Sequence, residues 1–201
     1  LMKQKGYRIY YIVCTGGQHG IPGMSEAETA AVREAEQRTA AELAGAELLL
    51  LGQMDGELYA DREICTQVGE RLREIDPAAV FTLWPVNVPD HASCWDITQK
   101  ALYHADLYYT TELYMYETSI GGQTNQFAPD IYVNISGVVN RKLELLRCHE
   151  SQVKGSDDEI LSDSSFRGAE ARVPYAEAFK PVHKMINWRW DRRSTYMLLD
   201  L

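Results

Sequence analysis

Ala78-Ala79-Val80-Phe81-Thr82-Leu83-Trp84, followed after a four-residue turn by Pro89-Asp90-His91, is the stretch that decides the fold. The first seven residues are almost continuously apolar. A strand with one wet face would alternate, so this run reads as a strand covered on both sides. Pro89-Asp90-His91 then places a carboxylate beside an imidazole where the strand stops. In open α/β sheets the carboxyl ends of the strands are where ligands are handled. Strand, acidic turn and histidine in that order suggest a metal site. The tripeptide gains weight from its company: Thr15-Gly16-Gly17, Arg33 with Glu36, Met54-Asp55-Gly56, and His149-Glu150-Ser151-Gln152.

Working outward, Tyr7–Cys14 reads as a strand that ends in a glycine turn over Thr15–Gly20. Ser25 with Glu28 forms a capping-box pattern that opens a long helix closed by Gly45. Val32, Ala35, Thr39 and Leu43 recur along it at helical spacing. Glu47–Leu51 reads as a short strand. A helix over Asp61–Ile75 follows, with Ile64, Val68, Leu72 and Ile75 as its buried stripe and Asp76-Pro77 as its stop. After Pro89 the pattern predicts a helix near Ser93–Ala105, strands at Leu113–Glu117 and Ile131–Ile135, and a helix marked by Val139, Leu143 and Leu146. Gly155–Ser165 is polar and acidic and reads as a loop, and Pro174–Phe179 regains structure. Such alternation specifies an α/β class: a doubly wound, mostly parallel, Rossmann-like sheet with helices on both faces. The expected organisation is a single domain over residues 1–201, irregular in its C-terminal portion, 153–201. Trp188 and Trp190 in the tail either close the core or belong to a contact in a homo-oligomer.

The composition narrows the function classes. A net charge of −9, from 20 basic and 29 acidic residues, argues against a nucleic-acid surface, which needs clustered Lys and Arg. No apolar run approaches the roughly 20 residues that span a bilayer. Cys14, Cys65, Cys94 and Cys148 are scattered without a Cys-x-x-Cys pair and read as reduced core thiols. The expectation is a cytoplasmic enzyme or binding protein. The glycine turn after Cys14 lacks G-x-G-x-x-G spacing, and Pro22 interrupts the helix start that would face a pyrophosphate, which disfavours a dinucleotide site.

In this order the landmarks resemble the PIG-L/LmbE family of zinc-dependent N-acetylglucosaminyl deacetylases. Thr15-Gly16-Gly17-Gln18-His19-Gly20 is similar to the family's T-x-G-E-x-G turn, and Arg33-x-x-Glu36 to its R-x-x-E helix. Met54-Asp55-Gly56 resembles its P-D-G loop and Val88-Pro89-Asp90-His91 its H-P-D-H motif. Lys142 through His149-x-Ser151-Gln152 matches K…H-x-S-Q, and Tyr175-Ala176-Glu177-Ala178-Phe179 matches the closing A-E-A-F. The resemblance implies an LmbE-type fold and zinc, or another divalent cation, held in part by His91. Asp90 would sit beside the metal and assist proton transfer. Gln18, Arg33 and Asp55 would bind the hydroxyls or phosphate-bearing groups of a small-molecule amino-sugar conjugate. The chemistry implied is amide hydrolysis, in which zinc lowers the pKa of its water to about 7 and polarises the acetyl carbonyl.

Two departures stand out. The family's opening strand and A-H-P-D-D-E motif, which supply two zinc ligands and the base, have no counterpart here. Leu1–Gly6 reads as the end of a helix closed by glycine, so the expectation is that the intact protein carries that segment ahead of Leu1. Val88 also replaces the first histidine of H-P-D-H, which stabilises the oxyanion. Losing one such donor typically costs about 10²–10³ in kcat, and the adjacent Asn87 is the candidate replacement. Two functions follow: a metal-dependent hydrolase of an N-acetylglucosamine-type amide, or a degenerate relative that binds a sugar-linked ligand without turnover.

Several of these residues also have simpler structural roles open to them. Arg33 could simply pair with Glu36 on a solvated face, Asp55-Gly56 is an ordinary turn pair, and His91 could merely cap a helix. His91 and Cys94 sit at i, i+3 spacing, so a His–Cys metal pair competes with Cys94 as a core thiol. His149 reads as a residue orienting the backbone near the site, Glu177 as a buried hydrogen-bonded carboxylate, and His19, His104 and His183 as surface or loop residues.

Overall fold

The computed structural model describes residues 1–182 and 197–201. The chain forms two compact units, Leu1–Leu58 with Asn134–Glu177, and Tyr59–Val133 with Ala178–Leu201. His183, Trp188 and Trp190 lie outside the described residues. The element order is β1 (Ile9–Thr15), α1 (Glu26–Ala44), β2 (Ala46–Gln53), α2 (Arg62–Ile75), β3 (Ala79–Leu83), α3 (Pro89–His104), β4 (Glu112–Tyr116), β5 (Ile131–Asn134), α4 (Val139–Arg147), α5 (Asp157–Ile160), α6 (Ser162–Ala171) and β6 (Ala176–Pro181). This is the expected α/β class. The strands fall into two sheets, β1-β2 and β3-β4-β6-β5.

In the first unit β1 and β2 run parallel, Ile9 beside Ala46 and Val13 beside Leu50. Helix α1 connects them. Ser25 caps it in a full capping box with Glu28, and Gly45 ends it at φ 64° in the left-handed region, as the sequence implied. Its inward stripe differs from the expected one. Ala35 and Thr39 are exposed, whereas Thr29, Ala40 and Ala41 are buried and Val32, Arg33 and Glu36 half-buried. The inner face of α1 is thus partly polar, and a search for apolar spacing lands a fraction of a turn away from it. The second correction concerns Gly155–Ser165, which holds two helices rather than a loop. Ser156 and Glu159 make a second capping box on α5, and α6 buries Arg167, which pairs with Glu170 at 2.6 Å.

Most of the buried apolar residues among those described lie in the second unit. β3 and β4 are parallel, Ala79 beside Glu112 through Leu83 beside Tyr116, while β6 joins β4 antiparallel through Tyr114–Pro181 and Met115–Lys180. Phe81 stacks on Tyr114 at 5.1 Å between ring centroids, and Phe179 meets Phe81 edge-on at 5.5 Å, within the spacing such pairs prefer. Helix α2 starts at its cap Asp61 and buries Ile64, Cys65, Val68, Gly69 and Leu72. Of the four cysteines expected as core thiols, only Cys65 is fully buried. The helix packs on α3. At Gly69 the helices are so close that an added Cβ would lie 3.0 Å from the Ala101 carbonyl oxygen. Helix α3 begins at Pro89, not near Ser93, because proline is pre-set for the first helical position. Asp90 and His91 therefore lie in a first helical turn rather than in a loop.

Candidate functional site

In the first unit β1 and β2 end side by side, so the turns leaving them are tied together. The register shifts between Val13 and Thr15, an irregularity of the kind that re-aims a strand end. Gly16 N–H donates to the Gln53 carbonyl at 3.1 Å. Gln18 bridges the two turns: its Oε1 accepts the Asp55 N–H at 3.0 Å, and its Nε2 donates to the Gln53 carbonyl at 3.4 Å. Asp55 Oδ2 accepts the His19 N–H at 3.1 Å, and the His19 ring lies between Asp55 and Glu26, at 3.9 and 3.5 Å. Gln18 and Asp55 are thus brought together, with His19 as a third member. Nothing local in the sequence marks His19, because its partner lies 36 positions away.

Arg33 reaches the same turn from α1. Gly17, at φ 64°, would place an added Cβ 3.0 Å from Arg33 Nε. Glycine here both permits the left-handed turn and lets the guanidinium lie against the backbone. Arg33 Nη1 is buried with no hydrogen-bond partner among the described residues, and its contact to Glu36 Oε2 is a long 3.9 Å. Glu36 is committed elsewhere: Ser151 donates to it from both its backbone N–H, at 2.6 Å, and its hydroxyl, at 2.7 Å. Gln152 Nε2 donates to the Gly20 carbonyl at 2.9 Å. His149-x-Ser151-Gln152 is therefore a brace under the glycine turn. Burial, and then the positive charge of Arg33, hold the His149 imidazole below its usual pKa, against an opposing pull from Glu36. Glu177 pairs with Lys142 at 2.6 Å, but its side chain is 40% exposed, so it is hydrogen-bonded without being buried.

In the second unit Asp90 and His91 sit in the first turn of α3, where the helix dipole favours a carboxylate. The ring Nδ1 of His91 is 3.0 Å from Asn87 Oδ1. Asn87 makes further contacts: Oδ1 also accepts the Val88 N–H at 2.9 Å, and one Nδ2–H donates to Thr124 Oγ1 at 2.9 Å. Thr124 is 3% exposed and is locked in turn by Thr118, whose N–H it accepts and to whose carbonyl it donates. One of the two Asn87 Nδ2 hydrogens is thus committed to Thr124. Val88 is apolar and 37% exposed. Cys94 is half-buried, and its carbonyl accepts from Thr98 at 2.6 Å. Among the described residues no three His, Cys, Asp or Glu side chains converge to hold a metal ion, and no helix is long and apolar enough to cross a membrane.

The sequence profile described as PIG-L, GlcNAc-PI de-N-acetylase, matches residues 1–102, just over half of the chain. Among solved structures the chain is similar to N,N'-diacetylchitobiose deacetylase from Pyrococcus horikoshii, with a TM-score of 0.75 and 22% identity over 90% of this chain and 75% of that one. It is similar to the conserved protein TT1542 from Thermus thermophilus, TM-score 0.74 and 23% identity over 95% and 89% of the two chains. It is also similar to GalB, the 4-carboxy-2-hydroxymuconate hydratase from Pseudomonas putida, TM-score 0.73 and 18% identity over 94% and 89%. At such identities these likenesses establish the fold, and a hydratase among them separates fold from reaction. The profile match carries the family: the chain belongs to the PIG-L family of de-N-acetylases.

Proposed function

We propose that the chain serves N-deacetylation of a small amino-sugar conjugate. The observation that carries this reading is Arg33, laid along Gly17 with a buried Nη1 that has no acceptor among the described residues. A buried, unsatisfied guanidinium nitrogen is costly unless a ligand oxygen completes it. A sugar hydroxyl or phosphate-bearing oxygen is the acceptor the family membership suggests. Asp55, on the turn bridged by Gln18, would accept a hydrogen bond from a second hydroxyl, and Gln18 would hold that turn in place.

In the second unit Asp90 is the residue proposed to take a proton during the hydrolysis, as a general base. His91 is the residue proposed to donate a ring nitrogen to a divalent cation. As a set, the described residues do not fit a resident zinc, which takes three protein donors and an open position. His91 supplies one donor, and no group of three converges among the described residues. Zinc binding therefore requires donors beyond those described, and Asp90 and His91 act as a proton acceptor and a single nitrogen donor.

Val88, apolar where the family motif carries a histidine, favours a second reading: a family member that binds a sugar-linked ligand without turnover. An acetate-release assay across N-acetylglucosamine conjugates, with zinc supplied, separates the two. Acetate above the level of an unreactive His91→Ala control supports deacetylation. Saturable conjugate binding with no acetate supports the binding module.

A further inference from the structure

We propose that Asn87 is a positioning residue for His91, fixing its neutral ring as the Nδ1–H tautomer so that Nε2 carries the electron pair. The hydrogen-bond network around the amide leaves one consistent arrangement. The Val88 backbone N–H can only donate, so the Asn87 atom it meets at 2.9 Å is the carbonyl oxygen. That assignment leaves Nδ2 toward Thr124 Oγ1. The Thr124 hydroxyl donates to the Thr118 carbonyl at 2.8 Å and so presents lone pairs to Nδ2 and to the Thr118 N–H. Flipping the amide would set Nδ2 against the Val88 N–H and two oxygens against each other, so the orientation is over-determined.

Asn87 Oδ1 therefore meets His91 Nδ1 as an acceptor, at 3.0 Å. A second polar atom on that side agrees. Thr118 Oγ1, 3.5 Å from Nδ1, donates its hydrogen to Gln123 Oε1 at 3.3 Å and offers the ring a lone pair. The Asn87 oxygen, which can only accept, calls for a proton on Nδ1, and the Thr118 hydroxyl is compatible with one; in a neutral imidazole the pyridine-type nitrogen is then Nε2. A hydrogen bond from one ring nitrogen to a carbonyl or carboxylate is how proteins fix the tautomer and raise the basicity of a histidine that donates through the other. Asn87 does this from four residues upstream, at the turn between β3 and α3. The consequence for catalysis rests on the deacetylase reading; the tautomer itself does not.

Long-range nitrogen–proton correlation spectra of the ¹⁵N-His chain at about pH 9, well above the ordinary imidazole pKa of about 6.5, test the proposal without substrate or metal. The expected wild-type spectrum shows His91 with a pyrrole-type Nδ1 and a pyridine-type Nε2. Asn87→Ala is expected to shift His91 toward the Nε2–H form, whereas Asn87→Asp, which keeps an acceptor beside Nδ1, retains the Nδ1–H form. A wild-type ring with Nε2 protonated overturns the proposal, and so does an Asn87→Ala spectrum unchanged at position 91. Should Asn87→Ala fail to fold, the wild-type and Asn87→Asp spectra still decide. A correct tautomer with no acetate release removes the deacetylase reading and leaves the positioning role standing.

Discussion

Ser151 donates to the Glu36 carboxylate twice, from its backbone N–H at 2.6 Å and from its hydroxyl at 2.7 Å, across 115 positions of sequence. With the Glu36 side chain only 11% exposed, these are charge-assisted bonds in a shielded place. They tie the segment after α4 to the inner face of α1 and hold the carboxylate that faces Arg33. Glu36→Ala would leave the Ser151 donors without that acceptor and the Arg33 guanidinium without its counter-charge. The expected loss is about 2–3 kcal/mol, with Ser151→Ala near 1 kcal/mol, as read from urea denaturation midpoints at constant slope. A Glu36→Ala change within about 0.5 kcal/mol would show the brace to be idle.

The same cluster makes stability depend on pH through His149. Its pKa is lowered in the folded chain, first by burial and then by Arg33, with Glu36 opposing. The unfolded chain therefore binds the proton more readily than the native one. The contribution is present in full above about pH 6.5 and is lost as pH falls through that value toward the lower folded-state pKa. Denaturation of wild type and His149→Gln at pH 8 and pH 5.5 isolates it. The wild type should lose more stability than the variant across that interval, and parallel losses would contradict the account.

Gly69→Ala sets two effects against each other. Alanine gains roughly 0.5–1 kcal/mol of helix propensity over glycine. Its Cβ, however, would lie 3.0 Å from the Ala101 carbonyl oxygen and 3.3 Å from His104 Cβ, and forcing packed helices apart costs about 1–3 kcal/mol. Crowding should win, lowering the melting temperature. A raised melting temperature would mean that α2 and α3 separate freely.

Much of this was legible because the signals are local. The Ser25–Glu28 capping box and the α2 stripe each act within one or two turns, whereas the start of α3 at Pro89 lies four residues ahead of the expected Ser93. The α1 stripe was misplaced because the face turned inward carries Arg33 and Glu36, whose burial depends on Ser151 and Gly17, far away in sequence. α6 escaped notice because it buries Arg167, which a hydropathy pattern assigns to solvent. His19 was set aside for the same reason: its link to Asp55 exists only once β1 and β2 are paired. The antiparallel entry of β6 is equally non-local, since strand direction leaves no mark on composition.

Val88→His restores a side chain that the family motif carries at a position 37% exposed. Stability should change by no more than about 0.5 kcal/mol. Under the deacetylase reading, turnover should rise, toward the 10²–10³ range if a full oxyanion donor is regained. An unchanged kcat in a folded variant would remove Val88 as the cause of slow chemistry.

The reading stands or falls on what His91 and Arg33 each do to turnover. Steady-state acetate release from an N-acetylglucosamine conjugate, measured for wild type, Arg33→Met and His91→Ala with zinc supplied, tests it most directly. Arg33→Met is expected to raise KM with kcat largely kept, as for lost uniform binding, whereas His91→Ala should collapse kcat in a chain that still binds the conjugate. Acetate released by His91→Ala at the wild-type rate would contradict the account.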